Sequence, residues 1–284
     1  MNAPTQSPNL MPQTVEFKLN DQRVQAYEGE SILKAAQRHG VDIPHLCYKD
    51  GLRADGNCRA CVVEIKGERT LAPSCCRTAT AGLEVLVSER AVKSQKMVLE
   101  MLLSDMPDVG HKWNDAASVG SSFAAATGDT PGSSCSEPKS SPSASPIAAG
   151  GVTRDSFSSE LAASGQHGEL SDWASRLNVS VRPALRALRR EQPACDVSHP
   201  AMAVNLDACI QCNRCVRACR EEQVNDVIGY AHRGAHSQIV FDLNDEMGSS
   251  SCVACGECVQ ACPTGALMPK TQIGSQVVDK QVDS

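Results

Sequence analysis

"CIQCNRCVRAC" (Cys209–Cys219) and "CVACGECVQAC" (Cys252–Cys262) share one pattern, C-x2-C-x2-C-x3-C, repeated within a single chain. A cubane [4Fe–4S] cluster needs four thiolates at tetrahedral corners. A short loop wound round the cluster can supply three of them, and the fourth must approach from elsewhere in the fold. Zinc is the competing reading, with each site held by four cysteines. Zinc sites of that kind use two C-x2-C pairs set well apart, which a doubled four-cysteine run fits poorly.

In two-cluster ferredoxins the fourth cysteine of each run serves the other cluster. The spacing therefore predicts one [4Fe–4S] set of Cys209, Cys212, Cys215 and Cys262, and a second of Cys219, Cys252, Cys255 and Cys258. Pro263 follows the second run, whereas Arg220 follows the first. Small residues beside the sulfurs (Ala218, Ala254, Gly256, Ala261) let backbone N–H groups come close and tune the potential. The 32 residues between Cys219 and Cys252 exceed a minimal connector and read as an inserted hairpin around Arg233-Gly234. Arg214, Arg217 and Arg220 recur at helical spacing beside the first run. They read either as a solvated face or as charge set against a cluster.

Fifteen cysteines in 284 residues, an odd number, make a poor disulfide framework. The N-terminus has no basic start and no apolar run, so it predicts no secretory signal. No stretch reaches the ~18 apolar residues of a membrane span. A cytoplasmic, thiol-reducing setting follows as the expectation, in which closely spaced cysteines serve as metal ligands. A net charge of -6 argues against nucleic acid as a partner. Only 3% of residues are aromatic, so the core must be aliphatic or built around something other than protein.

Residues 14–92 read as a second metal-binding unit. "TVEFKLN" alternates Val15, Phe17 and Leu19, and "RVQAY" follows after a polar turn, which predicts a hairpin. "SILKAAQRHG" predicts a short helix with Ser31 at its start and Gly40 at its end. "CVVEIKGERTLAP" and "LEVLV" supply the remaining strands. Strand, strand, helix, cysteine loop, strand, strand is the order of a β-grasp domain. Cys47, Cys58 and Cys61 give C-x10-C-x2-C, and the fourth thiolate of a [2Fe–2S] site comes from the doublet Cys75-Cys76. Adjacent residues of an extended strand point to opposite sides, so one of the pair faces the site and the other turns away. Gly51 and Gly56 in the ligand loop allow tight backbone approach. His45, His111, His167 and His199 stand near these segments and read as ordinary polar histidines.

The fold class is therefore α+β. A β-grasp [2Fe–2S] ferredoxin-like domain (14–92) follows a loose tail (1–13). A connecting helix (93–107), a low-complexity disordered linker (108–166) and a helical connector (167–198) lead to a two-cluster [4Fe–4S] ferredoxin-like domain (199–272) and a C-terminal tail (273–284). Ser88 caps the connecting helix and Met106-Pro107 stops it, with Val92, Leu99, Leu102 and Leu103 on its apolar side. In the connector, Leu170, Trp173 and Leu177 form one helical stripe, and Pro183 opens a second helix with Leu185 and Leu188. Arg186, Arg189 and Arg190 give that helix a basic edge. Cys135, in the linker, has no assigned role.

"PHLCYKDGLRADGNCRACVVEIKGERTLAPSCC", "AMAVNLDACIQCNRCVRACREEQVNDVIGYAHRGAHSQIVFDLND" and "CVACGECVQACPTGALMPK" resemble the N-terminal electron-transfer part of the alpha subunits of NAD-dependent formate dehydrogenases. They resemble more distantly the large iron–sulfur subunit of complex I and iron-only hydrogenases. The resemblance selects Cys75 as the fourth [2Fe–2S] ligand, beside Cys47, Cys58 and Cys61. The H-x3-C-x2-C-x5-C motif that complex I and hydrogenase relatives carry after the first domain has no match here, which favours the formate dehydrogenase branch. The resemblance also implies a molybdopterin-containing catalytic domain or subunit, and flavin- and NAD-binding diaphorase-type partners. Formate dehydrogenase alpha subunits continue into the catalytic domain where this chain ends at "VVDKQVDS", so the chain reads as a fragment or a separate relay.

No nucleophile–base constellation, phosphate loop or dinucleotide fingerprint occurs. The expected role is an electron relay with no catalytic residue of its own, carrying one [2Fe–2S] and two [4Fe–4S] clusters. A relay subunit of a soluble NAD-linked hydrogenase and a zinc-stapled interaction protein are the alternatives.

Overall fold

The computed structural model describes residues 13–106, 168–186 and 195–272. Cys135, His111, His167, Leu188, Arg189, Arg190, the linker, residues 1–12 of the N-terminal tail and the C-terminal tail lie outside the described residues. The chain divides into two compact units. The first takes residues up to Tyr48 and Ala54–Val98, and the second takes Lys49–Arg53 and residues from Leu99 on.

In the first unit, β1 (Thr14–Leu19) and β2 (Gln22–Tyr27) form an antiparallel hairpin. Asn20 and Asp21 both adopt positive φ, at 49° and 65°. That is the turn whose twist matches paired strands, and short polar residues tolerate it best. The alternation buries Phe17 and Leu19 on one strand and Val24 and Ala26 on the other. Helix α1 (Ile32–Arg38) starts where the Ser31 side chain accepts the Lys34 N–H, and it buries Ile32, Leu33, Ala35 and Ala36. β3 (Val62–Ile65), β4 (Ala72–Pro73) and β5 (Glu84–Leu86) complete a five-stranded sheet ordered β2-β1-β5-β3-β4, with β5 parallel to β1 and antiparallel to β3. Val62, Val63 and Ile65 are all buried, so β3 lacks alternation.

Helix α2 (Glu89–Ser104) follows Ser88, whose hydroxyl oxygen accepts the Ala91 N–H. Its buried stripe is Ala91, Gln95, Leu99 and Leu103, while Val92 and Leu102 are half-buried. Sequence hydrophobicity passes over Gln95. It is buried because its amide donates to the Val62 carbonyl at 2.8 Å.

In the second unit, β6 (Met202–Val204) and β9 (Leu267–Pro269) pair antiparallel, so one small ribbon brackets both cysteine runs. The gap between the runs holds the hairpin β7 (Ile228–Ala231) and β8 (Gln238–Phe241), turning at Gly234–His236. Helix α3 (Glu169–Arg176) and the single turn α4 (Pro183–Arg186) precede the ribbon. Leu170 is buried in α3, with Trp173 and Leu177 half-buried. Gly168 opens α3 at φ +53°, and a Cβ there would meet the Pro263 carbonyl oxygen at 2.6 Å. The Glu169 N–H donates to that same oxygen at 2.8 Å. Arg186, expected on a basic edge, donates to the Met106 carbonyl at 2.8 Å. Arg182 grips Glu100 through its backbone N–H and its guanidinium, at 2.7–3.0 Å.

Candidate metal centres

The N-terminal thiols come from irregular segments pinned to the sheet and to α1. Cys47 lies in the loop after α1, Cys58 and Cys61 lead into β3, and Cys75 lies on the turn after β4. That turn is fastened twice. The first amides of a helix lack intrahelical acceptors. Here Ile32 N–H donates to the Arg77 carbonyl at 2.8 Å and Leu33 N–H to the Ser74 carbonyl at 3.0 Å. Buried Ser74 then reaches the Cys61 carbonyl with its backbone N–H (3.1 Å) and its hydroxyl (2.7 Å). The Cys61 and Cys75 loops are thereby locked together.

The four expected sulfurs converge. The Cys47 sulfur is in hydrogen-bonding contact with the thiols of Cys58 and Cys75, and Cys61 with that of Cys75. Backbone amides also point at the sulfurs: Cys58 and Asn57 N–H at Cys47, and Cys75 N–H at Cys61. Thiol donation from Cys58 and Cys75 pulls Cys47 down to about 2, and donation from Cys75 pulls Cys61 to about 7. The donors shift the other way: Cys58 is pushed up by its bond to Cys47, and Cys75 by its bonds to Cys47 and Cys61. Four sulfurs in mutual contact, with amide donors aimed at Cys47 and Cys61, form a donor set that a cationic iron core would complete.

Cys76 does not behave as alternation expects. Cys76 N–H and Arg77 N–H both donate to the Pro73 carbonyl at 3.1 Å, so the chain coils at Ser74–Cys76 instead of running extended. In a coil, successive side chains are not opposed. Although Cys76 is exposed as a residue, its sulfur lies 3.6 Å from that of Cys75. Gly56, at φ +65°, leaves room for it: a Cβ there would stand 2.7 Å from the Cys76 sulfur.

The C-terminal runs repeat in conformation as well as in sequence. Gln211 and Asn213 in the first run, and Ala254 and Gly256 in the second, occupy equivalent positions, and all four have positive φ (54°, 67°, 58° and 81°). These left-handed residues curl each loop inward. Gln211 N–H donates to the Cys209 sulfur at 3.4 Å, and Ala254 N–H donates to the Cys252 sulfur at 3.4 Å. A short helix follows each loop, α5 (Arg214–Arg217) and α6 (Glu257–Ala261).

Buried thiols of each run have a cysteine of the other run among their charged neighbours. Burial pushes Cys212 up, and the next largest influence on it is Cys262, with Cys209 also acting. Cys215, raised chiefly by burial, feels Cys212, Cys209, Cys262 and Cys258 in that order. Cys258 is pushed up to about 12 by burial, then by Cys252, Cys255 and Cys219. Cys262 thus stands near Cys212 and Cys215 of the first run, and Cys219 near Cys258 of the second. Buried thiols resist ionisation unless a cation offsets the cost, and a cluster's iron supplies that charge. Among the described residues no three His, Cys, Asp or Glu side chains are gathered so as to hold one metal ion. No disulfide links the described cysteines.

The arginine series is not a solvated face. Arg214 and Arg217 are buried, and only Arg220 is exposed, paired with Asp226 at 2.7 Å. Arg214 makes a two-point ion pair with Glu169 of α3 (2.7 and 3.0 Å). Its backbone N–H and its charge both favour the Cys212 thiolate. The histidines hold backbone. His45 Nδ1 lies 2.9 Å from the Ile43 carbonyl oxygen. Buried His199 accepts the N–H groups of Ala201 and Met202 at Nδ1 (3.1 and 3.2 Å), and burial lowers its pKa.

Residues 12–90 match the family described as a 2Fe-2S iron-sulfur cluster binding domain, and residues 201–263 match the 4Fe-4S dicluster domain. The chain is 26% identical over 256 residues to an NADH-quinone oxidoreductase subunit of Rhizobium meliloti, covering 89% of this chain and 24% of that one. It is 28% identical over 251 residues to an NADP-reducing hydrogenase subunit of Solidesulfovibrio fructosivorans, covering 85% and 34%. It is 39% identical over 94 residues to the mitochondrial 78 kDa subunit of NADH-ubiquinone oxidoreductase of Candida albicans, covering 33% and 13%. The chain therefore spans about a third or less of the length of these relatives. A crystal structure of an NAD+-reducing [NiFe]-hydrogenase shares the fold, with a TM-score of 0.63 and 24% identity over 90% of this chain and 87% of that one. The chain thus carries a 2Fe-2S domain followed by a 4Fe-4S dicluster domain, and it is similar to iron–sulfur subunits of the complex I and hydrogenase type.

Proposed function

We propose that this chain is the iron–sulfur electron-transfer module of a multi-subunit NAD(P)-linked oxidoreductase. One [2Fe–2S] cluster is held by Cys47, Cys58, Cys61 and Cys75. One [4Fe–4S] cluster is held by Cys209, Cys212, Cys215 and Cys262, and another by Cys219, Cys252, Cys255 and Cys258. The observation that carries this reading is that Cys262 is a charged neighbour of Cys212 and Cys219 of Cys258, a closeness between the runs that two independent zinc sites do not call for. Bound clusters supply one-electron redox states. The chain's own residues hold the sulfurs, aim N–H donors at them and bury most of them from water.

The domains proposed for this work are 14–92 and 199–272, in a cytoplasmic complex. No helix among the described residues is long and apolar enough to cross a membrane. Two partner readings stand. A formate dehydrogenase, with a molybdopterin catalytic site and a flavin subunit that reduces NAD, rests on the three cysteine-bearing stretches and on the missing His/Cys motif. A relay in a hydrogenase is favoured by the Solidesulfovibrio relative and by the [NiFe]-hydrogenase fold.

Anaerobic purification of the full chain tests the relay. Iron with acid-labile sulfide, and reduced-state EPR signals of both cluster types, are expected; a colourless protein containing zinc overturns it. Purifying the native complex through a tag on this chain separates the partner readings: molybdenum or tungsten marks the first, and hydrogen-dependent reduction of NAD(P) without either metal marks the second.

A further inference from the structure

The first unit gathers five sulfurs where a [2Fe–2S] cluster needs four. The fifth, Cys76, is adjacent in chain to the proposed ligand Cys75, and the coil at Ser74–Cys76 brings the two sulfurs to 3.6 Å. Its place is built. Gly56, on the loop between Cys47 and Cys58, has φ +65°, and any side chain there would meet the Cys76 sulfur at 2.7 Å. The Cys75 side is fixed from below by Ser74 and α1, whereas Cys76 lies on the solvent side.

We propose that Cys76 is a reserve ligand of the [2Fe–2S] site, able to replace Cys75 on one iron. The proposal rests on the cluster reading given above. In the exchange an iron–sulfur bond to Cys75 breaks and one to Cys76 forms. The Cys76 proton passes to Cys75, and no atom changes oxidation state. A sulfur this close needs a side-chain rotation and a small backbone adjustment, not refolding. The arrangement keeps the cluster in place when Cys75 is lost or chemically modified.

The test uses the full chain, purified anaerobically as wild type, Cys75→Ala, Cys76→Ala and Cys75→Ala/Cys76→Ala. Alanine excludes ligation by a replacement hydroxyl. Cys75→Ala is expected to keep a [2Fe–2S] EPR signal with shifted g-values, with Cys76 protected from iodoacetamide. The double variant is expected to lose that signal while the [4Fe–4S] signals persist. Loss of the signal in Cys75→Ala as complete as in the double variant overturns the proposal. Should Cys75→Ala fail to fold, Cys76→Ala decides the matter. It is expected to lose [2Fe–2S] absorbance to an iron chelator several-fold faster than wild type, and an unchanged rate overturns the proposal. Wild-type protein lacking any [2Fe–2S] signal refutes the cluster reading itself, a separate outcome.

Discussion

Gly56→Ala probes how the five sulfurs are packed. Two costs can be worked from the structure. The backbone holds φ at +65°, and an L-residue there costs about 1–2 kcal/mol. The new methyl would also stand 2.7 Å from the Cys76 sulfur, with Cys76 Cβ and Pro73 Cβ at 3.8 Å. A cysteine sulfur moves by turning one torsion, and an off-rotamer torsion costs about 0.5–1.5 kcal/mol. The total loss is about 1.5–3.5 kcal/mol, or several degrees in the apparent midpoint for a domain of this size. The assay is anaerobic heating at a fixed scan rate, following [2Fe–2S] absorbance, because loss of a cluster is irreversible. Repeating the substitution in a Cys76→Ala background removes the second cost and leaves the first. A Gly56→Ala protein as stable as wild type, or a penalty unchanged by Cys76→Ala, refutes this placement of the Cys76 sulfur.

Other substitutions test the second unit. Cys262→Ala is expected to abolish the first [4Fe–4S] EPR signal and Cys219→Ala the second; the converse outcome shows that each run serves its own cluster. Arg214→Met removes a buried positive charge beside Cys212 and should lower the midpoint potential of the first cluster, while Glu169→Gln leaves that charge unneutralised and should raise it. Each shift is on the order of 1 kcal/mol, about 40 mV for one electron, read by EPR-monitored titration. Buried His199 accepts two amides in its neutral form, so its folded pKa lies below the unfolded 6.5. Its contribution is complete above pH 6.5 and fades as the pH falls toward the depressed value. His199→Gln, which can still accept an N–H bond, should flatten the decline in thermal midpoint measured between pH 7 and pH 5.

Much of the fold can be read from residue pattern. The alternation through Phe17 and Leu19, the cap at Ser31, the start of α2 after Ser88 and the hairpin around Arg233-Gly234 all depend on neighbours a few positions away. The stripe of α2 is less legible, because Gln95 is buried by a hydrogen bond to Val62, 33 positions distant. The arginines show the same limit. Spacing puts Arg214, Arg217 and Arg220 on one helical face, but burial of the first two depends on partners elsewhere, such as Glu169, 45 positions away. Nothing local marks His199 as more than an ordinary polar histidine; its role appears only where its ring nitrogen holds the start of β6.

The sequence by itself determined the two cysteine runs and the third cysteine set. Spacing is a property of a short stretch of chain. Tertiary structure decided how distant sulfurs are brought near one another. Cys262 comes near buried Cys212, and Cys219 near buried Cys258, because the β6–β9 ribbon and the two short helices pack the halves of the second unit against each other. Cys76 joins Cys75 because the Pro73 carbonyl coils the chain after β4 and Gly56 leaves a gap on another loop. Such encounters depend on the packing of segments distant in sequence, which no local pattern encodes.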